Sequence, residues 1–120
     1  MSNSLYTDLE VWKKGRELSN AIYDIIKTFP TNENFGLISQ MRRSAASFPS
    51  NIAEGSGRQH QKETIQFFYI ARGSLFELET QLFISFDQKY ISKEQLDNTL
   101  LLITSCKKLI QGFINYQKTK

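Results

Sequence analysis

The amino-acid sequence predicts an all-α fold, an antiparallel up-down-up-down four-helix bundle with its second helix kinked near Pro49, and three observations carry the prediction. Apolar residues recur three and four apart through four long segments, the spacing that gathers them on one face of a helix. Two prolines and six glycines in 120 residues leave those segments nearly uninterrupted. The breaks between them are a handful of residues each, so consecutive helices have to pack as antiparallel neighbours. Nothing reads as a β-hairpin or a strand–helix–strand unit, and a chain of 120 residues holds one modest core. Residues 1–120 are therefore expected to form one domain, with helices over about 8–28, 35–55, 61–88 and 93–117.

The first helix is expected to open at Thr7-Asp8-Leu9-Glu10, whose S/T-x-x-E pattern lets side chains satisfy the first free amides, and to stop before Phe29-Pro30. Its apolar stripe is Val11, Gly15, Leu18, Ile22, Ile25 and Phe29, with Lys13, Glu17, Asn20, Asp24 and Lys27 opposite. The second helix follows the polar stretch Thr31-Asn32-Glu33-Asn34 and ends at Gly55, with Ile38, Met41, Ala45, Phe48 and Ile52 as its core. Pro49 lacks an amide and crowds the preceding turn, so a kink or a restart is expected there. After the third helix, Ser92 with Gln95 three residues on supplies a capping box for the fourth.

The last two helices carry more apolar surface than a lone bundle needs. At 100° per residue, the third helix is apolar over about 200°, from Phe67 and Leu78 through Leu82, Leu75 and Phe68 to Ile65, Phe76 and Tyr69. Beside the inner stripe of Leu96, Leu100, Ile103, Ile110 and Ile114, the fourth has a second one of Leu102, Leu109, Phe113 and Tyr116. Leaving three such side chains in water forgoes roughly 1.5 to 3 kcal/mol each, and self-association is the economical remedy. Leu102, Leu109, Phe113 and Tyr116, with Trp12 and Tyr23 on the shoulder of the first helix, are the expected oligomer contacts. The alternative is that these side chains cap the bundle's ends or lie under the N-terminal tail.

Charges also fall inside these apolar arcs. Arg72 and Glu79, seven residues apart, point out of the middle of the third helix's apolar face. An isolated internal charge costs several kcal/mol, so a polar network of Arg72 and Glu79 with Asn51 or Glu54 is expected, and Gly73 is expected to admit a close backbone neighbour. Such a network reads as a register lock, or else as an active site of paired acids and an arginine. Arg43, Ser47, Ser50 and Glu54 form an outward stripe on the second helix, either solvated or a partner surface. The turn Gly55-Ser56-Gly57-Arg58 offers amides and a cation to a phosphate, although it matches no P-loop spacing.

Composition narrows the function classes. One cysteine, Cys106, and one histidine, His60, preclude an intrachain disulfide and a zinc site of soft ligands, and Cys106 is expected to be a small buried apolar residue. Glu-x-x-His pairs for a di-iron site are lacking, and no base stands beside a nucleophile. No enzyme activity, cofactor or metal is therefore expected. Residues 1–9 lack a signal-peptide pattern and no segment reaches the roughly 18 apolar residues of a membrane span, so a cytoplasmic protein without a membrane partner is expected. The net charge of +3 and pI near 9.0 permit a nucleic-acid partner. The excess sits in the last quarter, at Lys93, Lys107, Lys108, Lys118 and Lys120.

Four stretches carry a family resemblance. They are Leu9-Glu10-Val11-Trp12; Phe29-Pro30-Thr31-Asn32-Glu33 with Gly36-Leu37; Gln40-Met41-Arg42-Arg43-Ser44-Ala45 leading into Pro49-Ser50-Asn51-Ile52-Ala53-Glu54-Gly55-Ser56-Gly57-Arg58; and Ala71-Arg72-Gly73-Ser74-Leu75-Phe76-Glu77-Leu78-Glu79. Together they resemble the four-helix-bundle proteins encoded in intervening sequences of bacterial 23S rRNA genes, the so-called S23 ribosomal protein family. The resemblance implies a homopentameric ring. It also implies kinship with the accessory variability proteins of diversity-generating retroelements, basic pentamers that bind nucleic acid. Its motif marks Asn51, Glu54, Gly55, Arg58, Arg72, Gly73, Ser74, Glu77 and Glu79. This chain departs from the family at His60, where serine is common, and at Gly15, where alanine is usual and glycine loosens the helix by about 0.5 to 1 kcal/mol. On these grounds the expected partners are further copies of the chain and RNA or DNA, held by Arg42, Arg43, Arg58, Lys62, Lys107 and Lys108. The alternative is a protein-interaction scaffold that binds no nucleic acid.

Overall fold

The computed structural model describes residues 5–120; the first four residues of the expected domain lie outside the described residues. A 3-10 turn at Tyr6–Asp8 precedes α1 (Glu10–Ile26), a second at Thr31–Glu33 precedes α2 (Leu37–Ser56), and α3 (Gln61–Asp87) and α4 (Lys93–Lys118) complete the chain. No strand occurs among the described residues. α1 packs on α2 and α4, α3 packs on α2 and α4, and the diagonal pairs do not meet. This is the closed square of an up-down-up-down bundle, 49 Å long and 25 by 20 Å across.

The first helix starts later than its sequence pattern suggests. Leu9 is extended (φ −73°, ψ 131°) between the 3-10 turn and Glu10, and no side chain caps α1. Thr7 is wound into that turn, too far back to reach the free amides, so the expected Thr7–Glu10 capping box does not form. Along α1 the buried residues are Val11, Gly15, Leu18, Ile22 and Ile26; Ile26, rather than Ile25, continues the stripe because it lies one full turn beyond Ile22.

α2 runs unbroken through Pro49, so the helix does not restart there. Proline removes the bond that its amide would have donated to the carbonyl of Ala45. Ser19 of α1 replaces that donor: its hydroxyl donates to the Ala45 carbonyl at 2.6 Å. Gly15 lets the two helices approach this closely, since a Cβ there would lie 2.7 Å from the Phe48 ring and 3.5 Å from Pro49. Gly55 plays the same part for α3, where a Cβ would meet Phe67 at 2.9 Å. Gly73 has nothing within 4 Å of its Cβ position, so the close neighbour expected there is not present.

At the far end the loops are tied together. α3 ends in a Schellman turn, with Tyr90 N donating to Ser85 O, Lys89 N donating to Phe86 O, and Lys89 in the left-handed region at φ 67°. The Tyr90 hydroxyl donates to Glu33 at 2.8 Å, which holds its pKa above the ordinary tyrosine value, and the Tyr90 ring packs 5.1 Å from that of Phe29. The other oxygen of Glu33 accepts from the first amide of α2, Leu37 N. The Ser92–Gln95 capping box forms in full at the start of α4.

Leu18, Ile22, Met41, Phe48, Ile52, Phe68, Leu75, Leu78, Leu82, Ile103, Ile110 and Ile114 fill the bundle's axis without solvent contact. The surplus apolar surface of the last two helices stays open: Ile70, Phe76, Phe83 and Ile84 on α3, and Leu101 and Tyr116 on α4, are exposed.

Candidate nucleic-acid interface

Arg72 and Glu79 sit on the flank of α3 that faces α4, and their partners come from there and not from α2. The Arg72 guanidinium donates to the Gln111 side chain at 2.7 Å. Lys107 donates to both carboxylate oxygens of Glu79 at 2.9 Å. Asn51 bonds within its own helix, to Ser47, and Ser47 accepts from Ser74 of α3. Glu54 pairs with Arg58 one turn on, at 3.0 Å. The four residues expected to form one network are thus divided among four separate groups, because the antiparallel register sets α4 cations and amides against the α3 flank that carries Arg72 and Glu79.

That flank interleaves cations with aromatic rings. The Arg72 guanidinium lies 4.7 Å from the Tyr69 ring centroid, and the Lys118 amino group lies 5.4 Å from it. Lys107, while holding Glu79, lies 4.3 Å from the ring of Phe76. Lys120 stands 5.0 Å from Tyr116. Lys62, Tyr69, Phe76 and Phe83 recur every seven residues and so share one side of α3. A shallow depression of about 510 Å³ between the helices is lined by Arg72, Phe76, Lys107, Lys108 and Gln111. Attraction of this kind is worth about 0.5 to 1 kcal/mol per exposed pair and leaves the cations close to solvent.

The six cations expected to bind nucleic acid do not form a single patch. Lys62, Lys107 and Lys108 belong to the α3–α4 side. Arg42 lies 5.8 Å from the Tyr23 ring of α1, on the opposite side of the bundle, and Arg43 is exposed on the outer face of α2. Arg58 is engaged by Glu54 and lies 4.7 Å from the Phe67 ring. The amides of Gly57 and Arg58 donate to Glu54 O and Gly55 O, so these two are not free for a phosphate. Sequence reasoning left out Arg72, Lys118 and Lys120 as cations of this surface. The i, i+3 spacing of Tyr69 and Arg72 was a legible signal; the pairing of Lys107 with Phe76 crosses between helices and was not.

Of the expected oligomer contacts, Tyr23 and Tyr116 are exposed, while Trp12, Leu102, Leu109 and Phe113 are half-buried against the core. Trp12 meets Tyr6 edge-on at 5.5 Å. In the outward stripe of α2, Arg43, Ser50 and Glu54 are exposed and Ser47 is half-buried. His60 is exposed just before α3, and Cys106 is fully buried, its thiol pushed up to about 12 by burial. Among the described residues no cluster of His, Cys, Asp or Glu has the geometry to hold a metal ion. Among the described residues no helix is long and apolar enough to cross a membrane.

Comparison with known proteins places these features in a family context. The family model described as 23S rRNA-intervening sequence protein matches residues 7–112. A crystal structure of a protein with unknown function from the S23 ribosomal protein family of Bacteroides thetaiotaomicron VPI-5482 is similar in fold, with a TM-score of 0.80 and 28% sequence identity; the match covers 87% of this chain and 97% of that one. No curated protein sequence matches significantly.

Proposed function

The chain belongs to the 23S rRNA-intervening sequence protein family, and from that premise we propose that it is a non-enzymatic, self-associating helical bundle that binds RNA or DNA through a basic surface repeated around a closed ring of five subunits. The observation that carries this reading is the charge of the α3–α4 side. Lys62, Arg72, Lys107, Lys108 and Lys118 lie on these two helices, and of the acids interspersed with them Glu79 is held by Lys107 and Asp97 by Lys93. A ring repeats that surface in every subunit, so a modest +3 per chain becomes a strong field. Self-association is supported by the exposed Phe83, Ile84 and Leu101, apolar side chains that a neighbouring subunit would cover.

Light scattering coupled to size-exclusion chromatography, before and after nuclease treatment, tests both halves. The expected result is a multimer that carries nucleic acid at low salt and releases it as salt rises, because displaced counterions drive such binding. A monomer that retains no nucleic acid even at low salt rejects the reading.

A second reading, a protein-interaction scaffold, is favoured by Phe35, which stands 99% exposed in the α1–α2 connection. A large apolar side chain presented in this way resembles the anchor of a protein interface. Capture of one defined partner from nuclease-treated lysate, stable at high salt and lost on Phe35→Ser, would favour the scaffold over the nucleic-acid reading.

A further inference from the structure

The α3–α4 side holds more than phosphate binding requires. A duplex offers its phosphates outward and keeps its base faces stacked, so cations alone suffice to hold it. Aromatic rings on a protein surface engage bases that are already unstacked, as they are in a single strand. Here Tyr69 and Phe76 stand on one side of α3, about 10 Å apart along its axis. Phe76 is 51% exposed at the surface of the bundle. Arg72 sits between them in sequence, fixed by Gln111, and a guanidinium plane also stacks on bases. Lys108 and Lys118 are exposed beside them to take the phosphates.

We infer that the nucleic acid held by this protein is single-stranded, crossing the α3–α4 depression that Phe76 lines, with bases stacked on Phe76 and on the half-buried Tyr69 two turns before it and phosphates on the flanking lysines. The inference rests on the nucleic-acid reading and adds the class of ligand to it. Sequence preference is weak, because the polar group best placed to read a base edge is already engaged: Gln111 accepts from Arg72 and donates to Asn115. Stacking tolerates any base, since each has a π-face.

Fluorescence anisotropy with a labelled oligothymidine, an oligouridine and a duplex of equal length, at low salt, provides the test. The single strands are expected to bind at least about tenfold more tightly than the duplex. Phe76→Ala, at a half-exposed position whose loss circular dichroism should show to be harmless to folding, is expected to weaken single-strand binding roughly 5- to 150-fold. It should leave the slope of log K against log salt unchanged, whereas Lys108→Ala should reduce that slope by about 0.7. Equal or tighter duplex binding, or unchanged single-strand affinity in Phe76→Ala, overturns the inference and leaves the nucleic-acid reading standing. Failure of every oligonucleotide to bind at low salt removes both.

Discussion

Gly15 and Gly112 would respond oppositely to alanine. Both lie inside helices, where alanine is favoured over glycine by about 1 kcal/mol. At Gly112 nothing lies within 4 Å of the new Cβ, so Gly112→Ala should raise stability by about 0.5 to 1 kcal/mol in urea unfolding. At Gly15 the methyl would stand 2.7 Å from the ring of Phe48, which is fully buried and has no free space to enter. Overpacking of a core costs about 1 to 3 kcal/mol, so Gly15→Ala should be neutral to destabilising despite the better helix propensity. Gly15 is thus a packing feature of this chain. Cys106 offers a second check at the same scale. Burial raises its thiol to about 12 from the usual 9.0, so the folded protein keeps the proton at pH values where the unfolded chain loses it. Stability from this group is complete below about pH 9 and is lost as pH rises toward 12. A maleimide at neutral pH should therefore leave the native protein unlabelled and label it rapidly in denaturant.

Pro49 shows how an element can be legible in kind and not in detail. The apolar periodicity around it identified α2 and its core correctly, down to Ile38, Met41, Ala45, Phe48 and Ile52, all of them buried. What no local pattern disclosed is that Ser19, thirty residues earlier, restores the hydrogen bond the proline forfeits. Ser19→Ala should strand the Ala45 carbonyl in a partly buried site and cost about 1 to 3 kcal/mol, read as a lowered urea midpoint with the m-value unchanged. Caps show the same limit. Ser92-x-x-Gln95 and Thr7-x-x-Glu10 have equivalent patterns, but only the first is used, because Leu9 breaks the chain's course after a 3-10 turn. Ser92→Ala should cost about 1 kcal/mol, while Thr7→Ala should stay within about 0.5 kcal/mol of the parent.

At the scale of the whole molecule, the sequence was informative about surplus and less so about placement. The apolar width of the last two helices was readable from the wheel, since Phe76 appears on it and stands half-open. Which side chains remain open depends on the register between helices, set by Glu79 with Lys107 and Arg72 with Gln111, and that register follows from no single segment. It brings Leu101 level with Phe83, and these two, 67% and 46% exposed, are the largest uncovered apolar pairing on that side. They stand toward the α3–α4 turn, whereas Tyr69, Lys108 and Lys118 lie toward the other end, so assembly and nucleic-acid binding can be separated by substitution. Leu101→Glu removes no core contact and should leave the fold intact. If subunits cover this end of the bundle, the substitution should reduce the light-scattering mass and abolish the rise of Tm with protein concentration that mass action imposes on an assembly. Parent-like mass in Leu101→Glu would move the subunit contact elsewhere, with the stripe of Leu102, Leu109, Phe113 and Tyr116 next to be substituted.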